Sequence, residues 1–166
     1  EKSLKLDLLH TFSIGMCPFK NVLIPTDFGP AAWNAVQFAA EMCENYPTRI
    51  TLLHIYPSRS KFDFKRKNIS KEDQASIKSI DKEMKALCAE LKSERNLNLD
   101  SVIMGGWVDI EILDYINKNE FDLVIMGVNS NGLDNRPGSH ISKIIEKANA
   151  PVLVIPNKPV DHKVTA

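Results

Sequence analysis

Two short, wholly apolar runs, Leu123–Met126 and Val152–Ile155, flank a helical stretch. Strands joined by a helix, and apolar on both faces, imply a parallel sheet buried from both sides. Gly127 ends the first run, and a polar loop rich in Gly, Asn and Ser follows. Pro137-Gly138-Ser139 leads into the helix, and Pro156 closes the second run. The loop therefore lies where the carboxyl end of a strand meets a helix N-terminus. Open α/β sheets bind ligands there, and the free backbone N–H groups of a helix start favour anions.

The same alternation runs through the rest of the chain. Asn21–Pro25 reads as a first strand, and Pro30 stands near the start of a first helix. Ala32, Val36, Ala39 and Cys43 recur at helical spacing, and Asn45-Tyr46-Pro47 ends that helix. Arg49–Tyr56 is the second strand. Ser58–Ser70 is a polar, basic loop. Lys71–Glu94 is an amphipathic helix whose Ile77, Ile80, Met84, Leu87 and Leu91 step by three and four. Leu99–Met104 is the third strand, broken by Gly105-Gly106. Asp109 suits the N-cap of a helix reaching about Asn117, with Ile112, Leu113 and Ile116 facing inward. The sum is a single α/β domain built on a doubly wound parallel sheet with flanking helices. The domain is expected over residues 16–157, with an extension at 1–15 and a polar tail at 158–166. Leu4, Leu6 and Leu8 alternate with polar residues, so the extension reads either as a loosely docked arm or as an added edge strand.

Composition narrows the function. Lys+Arg and Asp+Glu are both 21, a balance that argues against a nucleic-acid surface built on bulk charge. The basic run Lys61, Lys65, Arg66 and Lys67 is short enough to read as a solvated loop. No apolar run reaches the length of a membrane span, and no stretch resembles a signal peptide. Three widely spaced cysteines without a CxxC fit a reduced, cytoplasmic setting.

The common phosphate-binding and hydrolytic motifs are absent, as is any zinc spacing. His54, inside the second strand, reads as a packed and hydrogen-bonded histidine. What remains is a site at the ends of strands one and four. Asp27 follows strand one. It can accept from a ribose or hold a hydrated metal ion, or it can brace the turn into the first helix. Gly127 and Gly138 allow close backbone approach. Ser139 can donate to a phosphate oxygen or simply cap its helix.

Three segments together resemble the universal stress protein family. Asn21–Phe28 looks like its opening strand with an Asp, Leu52–Tyr56 like its second strand, and Gly138–Pro156 like its closing helix and strand. The resemblance implies a five-stranded parallel sheet of order 3-2-1-4-5. It implies a homodimer through the last strand, here Val152, Leu153, Val154 and Ile155. It also implies a role in the stress response. Some members bind ATP through Gly, two residues, Gly, nine residues, Gly, then Ser or Thr. Here Gly127 matches the first position, Ser130 stands at the second, and Gly138-Ser139 matches the end. Only seven residues separate Ser130 from Gly138, so the phosphate loop is two residues shorter. The expected pocket is thus Asp27, Gly127, Ser130, Gly138 and Ser139. Its expected ligand is ATP or AMP, with Mg²⁺ only alongside the nucleotide. Three roles follow. The chain is a nucleotide-binding signalling module, or the same fold acting through protein contacts with a non-functional pocket, or a slow ATPase or autophosphorylating enzyme. In the last, Asp27 holds the metal and Ser139 accepts the phosphate.

Overall fold

The computed structural model of the chain describes residues 17–58, 62–63, 71–129 and 139–157. The elements are β1 (Asn21–Pro25), α1 (Pro30–Cys43), β2 (Arg49–Pro57), β3 (Phe62–Asp63), α2 (Lys71–Arg95) and β4 (Asn98–Gly106). They continue with α3 (Val108–Lys118), β5 (Leu123–Val128), α4 (Ser139–Lys147) and β6 (Val152–Pro156). The expected extension 1–15 and tail 158–166 lie outside the described residues.

The sheet order is β3-β4-β2-β1-β5-β6. Five strands are parallel, and counted alone they run 3-2-1-4-5. The sixth is a correction to the loop expected over Ser58–Ser70. Phe62 and Asp63 pair antiparallel with Gly105 and Met104 at the edge of β4. A second correction follows. Gly105 and Gly106 do not break the strand, because Tyr56 and Pro57 of β2 hold them in register. The chain turns only after Gly106, at φ +148°.

Strand alternation fills two cores. Val22 and Ile24 of β1 join Ala35, Val36 and Ala39 of α1 and Met84 and Leu91 of α2. Leu23, between them in sequence, joins Ile112 and Ile116 of α3 and Ile144 of α4 on the other face. Each strand thus sends alternate side chains to opposite layers, which a period of two requires. Alanines on α1 remain buried, so this helix lies close to the sheet. Asn45 and Asn96, just past α1 and α2, adopt φ of +66° and +46°. Asn tolerates that left-handed conformation better than most residues, which is why it ends helices.

Asp122 ties the starts of β1 and β5. Its Oδ2 accepts from the backbone N–H groups of Lys20 (2.7 Å) and Asn21 (2.8 Å). Those bonds, Asn21's first, hold its carboxyl below the usual range. A carboxyl depressed in the fold stabilises above its unfolded pKa, about 3.9, and loses that contribution as pH falls through the folded value. We therefore expect Asp122→Asn to lower stability at pH 7, with the gap from wild type shrinking below about pH 4. Urea melts at pH 7 and pH 3 check this. An equal gap at both would show that the charge is not what matters.

Candidate functional site

β1 ends at the centre of the sheet, where the chain leaves β1 on one side and β5 on the other for their helices. The turn after β1 is braced by its own side chains. Thr26 Oγ1 accepts from Phe28 N–H (3.1 Å), and Asp27 Oδ1 accepts from Gly29 N–H (2.8 Å). Such local bonds are how Asx and ST turns form. They let Phe28 take φ +63° and deliver Gly29 as N-cap and Pro30 as the first residue of α1. His54 supports the same corner from β2. Its Nδ1–H donates to the Thr26 carbonyl (2.8 Å), and its ring lies 4.9 Å from that of Phe28. A carbonyl can only accept, so the proton sits on Nδ1. His54 is the packed, hydrogen-bonded histidine expected.

Beside this corner is a cleft of about 460 Å³. Leu53, Ile55 and Met126 from the strands form an apolar wall, with Val108 and Ile112 from α3 and Ile144 from α4. Its polar lining includes Asp27, Asn129 and His140. An apolar body with a few convergent polar groups is the usual make-up of a small-molecule site.

Of the five expected site residues, Asp27 and Gly127 line this cleft. Ser139 opens α4, whose His140 and Ile141 line it too. Ser130 and Gly138, and with them the shortened loop, lie outside the described residues. Asp27 is exposed and has one oxygen committed to Gly29. Gly127 has a reason of its own. A Cβ there would lie 1.9 Å from the Ala31 carbonyl oxygen and 2.7 Å from the Ala32 nitrogen. The start of α1 occupies the space that a side chain would need.

Asp109 is not the N-cap of α3, a third correction. Trp107 holds that position, and the helix starts at Val108. Asp109 lies in the first turn and is 8% exposed. Its Oδ1 accepts from Ile110 N–H (3.1 Å), while its Oδ2 meets Lys143 Nζ at 2.9 Å and His140 Nδ1 at 3.4 Å. The hydrogen bond from Lys143 holds its carboxyl below the ordinary range. The cluster links α3 to α4 beside the cleft. Sequence reading missed it, because nothing in the spacing of 109, 140 and 143 announces that two helices will meet. The apolar lining was equally hidden, since Ile112 and Ile144 carry the same signal as any core residue.

The three cysteines hold free thiols. Burial, followed by the nearby Cys17, pushes the Cys43 thiol up to about 12. Among the described residues no three His, Cys, Asp or Glu side chains form a metal cluster, and no helix is long and apolar enough to cross a membrane.

A model of the universal stress protein family matches residues 18–156. Among solved structures, the universal stress protein UspA from Lactobacillus plantarum is similar at TM-score 0.62 and 21% identity, covering 82% of this chain and 97% of that one. A universal stress protein family protein from Arabidopsis thaliana with AMP bound is similar at TM-score 0.56 and 18% identity, over 86% and 97%. A universal stress protein in complex with cAMP is similar at TM-score 0.61 and 14% identity, over 84% and 98%. A search of curated proteins returns no match.

Proposed function

The chain belongs to the universal stress protein family, and we propose that it works as a dimeric, cytoplasmic module of the stress response that binds an adenine nucleotide, AMP or ATP. Signalling by occupancy, not robust catalysis, is the role this reading assigns. One observation carries it. The cleft of about 460 Å³ lies at the carboxyl ends of β1 and β5, with Asp27 on one side and the start of α4 on the other. Open α/β sheets place ligands in this crevice, and the volume is within the usual range for small-molecule sites. The AMP and cAMP complexes of similar proteins support the choice of ligand. In this reading Asp27 faces the ribose, Gly127 lets α1 and the ligand approach β5, and Ser130, Gly138 and Ser139 border the phosphate. Asp27 is the single carboxylate among the described lining residues, so Mg²⁺ would enter only with a nucleotide.

Isothermal titration of AMP into wild type and Ile141→Trp tests the reading. Ile141 lines the cleft and is partly buried, so a larger ring there should fill the opening. Saturable binding to wild type, weakened at least about tenfold in the variant, is expected. Folded wild type that binds neither AMP nor ATP would remove this reading and leave protein contacts as the route to function. Phosphate released from ATP would instead favour the slow enzyme.

The dimer is proposed through β6, an edge strand whose Val152, Leu153, Val154 and Ile155 are all half-buried. An apolar edge calls for a cover. Val154 packs into neither core, so Val154→Lys should leave the fold intact. Sedimentation is expected to give a dimer for wild type and a monomer for the variant. A wild-type monomer at high concentration would sink this arrangement.

A further inference from the structure

Two of the three cysteines meet at the amino end of the sheet, where the approach to β1 runs beside the passage from α1 to β2. There Lys20 O accepts from Arg49 N–H (2.8 Å), and Phe19 O accepts from the Thr48 hydroxyl (2.7 Å). The Cys17 thiol turns back to the same Phe19 carbonyl (3.9 Å). Cys43 ends α1, and its carbonyl closes the next turn by accepting from Tyr46 N–H (3.1 Å). Its side chain is wholly buried, with the Cys17 thiol and the Thr48 hydroxyl as hydrogen-bonding neighbours. Cys17 packs on the same apolar cluster but stays partly exposed. Cys88 faces Ser101, Lys92 and Asp100 instead.

We propose that Cys17 and Cys43 are a peroxide-responsive dithiol, which closes to a disulfide and staples the approach of β1 to the end of α1. The pair lies at the opposite end of the sheet from the cleft, so this stands or falls independently of the nucleotide reading. The chemistry uses both members. Cys17 is the one that solvent reaches, so its thiolate sulfur attacks a peroxide oxygen first. The O–O bond breaks, hydroxide leaves and takes up the proton that Cys17 released, and a sulfenic acid remains on Cys17. The Cys43 sulfur then attacks the Cys17 sulfur. The S–O bond breaks, and the hydroxyl departs with the Cys43 proton as a second water. Two thiols give up two electrons in all, and the peroxide takes both. Burial makes a Cys43 thiolate costly, so Cys43 is inert to an outside oxidant and serves the neighbour it adjoins. A reducing cytoplasm keeps such a pair open until oxidant rises, which is how cytosolic disulfides come to report on redox state. The loop that the bond closes contains β1 and α1, so it takes freedom from the unfolded chain and raises stability.

The test treats the full chain, and its Cys17→Ser and Cys88→Ala variants, with hydrogen peroxide at low protein concentration. Remaining thiols are then blocked with N-ethylmaleimide, and intact mass, cross-linked peptides and the thermal midpoint are read. Wild type should lose two of its three thiols and yield one peptide joining Cys17 to Cys43, with Cys88 still open to alkylation. Its midpoint should rise by about 5 °C or more and return on reduction with dithiothreitol. Cys88→Ala should behave as wild type, whereas Cys17→Ser should show neither the bridge nor the rise. The proposal is overturned if all three wild-type thiols stay free, or if Cys17 is carried on to sulfinic acid with Cys43 unbridged. It is overturned equally if the bridge joins Cys88 or a second copy of the chain, or if a Cys17–Cys43 bridge leaves the midpoint unmoved or lowers it. Should either variant fail to fold, the peptide map and midpoint of wild type still decide.

Discussion

Gly127→Ala is expected to destabilise the protein by about 3 kcal/mol or more, a large share of the 5–15 kcal/mol typical of a domain. The substitution adds one methyl group, and in most strands alanine is preferred to glycine by roughly 0.5–1 kcal/mol. Here the new Cβ would lie 1.9 Å from the Ala31 oxygen and 2.2 Å from its carbonyl carbon. These are backbone atoms in the first turn of a helix, so no rotamer change relieves the overlap. Either α1 lifts away from β5 or β5 bends. α1 packs on β5 and also on β6, so its displacement loosens more than one contact layer. A urea melt measures the loss. A variant as stable as wild type would mean that the helix start yields easily. The glycine would then be needed for ligand approach, as its place in the sequence first suggests.

Leu23→Ala should cost about 2–5 kcal/mol. Leu23 is completely buried in β1, which has β2 on one side and β5 on the other. Truncation removes apolar contact and leaves a void that two hydrogen-bonded neighbours keep from collapsing. Ile145→Ala is the control. Its side chain is among the exposed large hydrophobics, and its loss should fall within about 0.5 kcal/mol. Denaturant midpoints for the two variants compare them directly. Equal, small effects would show that the β1 core repacks freely.

The parts of the fold that periodicity encodes were legible. Val22–Ile24, Leu123–Met126 and Val152–Ile155 are short apolar runs, and the residues between them step at helical spacing, so strands and crossovers could be placed in order. The order of strands within the sheet came from the resemblance to a family, because alternation alone does not say which strand lies beside which. Gly105-Gly106 read as a break, since glycine weakens an isolated strand. Pairing with β2 on one side and with Phe62 and Asp63 on the other overrides that local preference. Asp109 read as a cap because a carboxylate near a helix start is ambiguous by one or two positions. Only the docking of α4 reveals its partners.

For the site, Asp27 and Gly127 were visible as punctuation at the ends of strands. Most of the cleft was not. Its apolar wall is made of residues that look like ordinary core, and His140 declares itself only once α4 lies beside α3. The grounds for Gly127 also change. Its bare backbone reads as room for a ligand, and the structure adds that the start of α1 fills the place its Cβ would take.

The sheet separates its two cores completely at β1, where Leu23 faces one way and Val22 and Ile24 the other. The cleft draws most of its helical wall from α3 and α4 on the Leu23 side, with Ala31 and Ala32 at the start of α1 completing it. Substitutions that reshape this wall touch neither the packing of α2 nor the larger cluster behind the sheet. Changes on opposite faces share no partners and should add nearly independently. The shape and polarity of the cleft can therefore be altered through a handful of replacements in two helices. The architecture that carries those helices need not change at all.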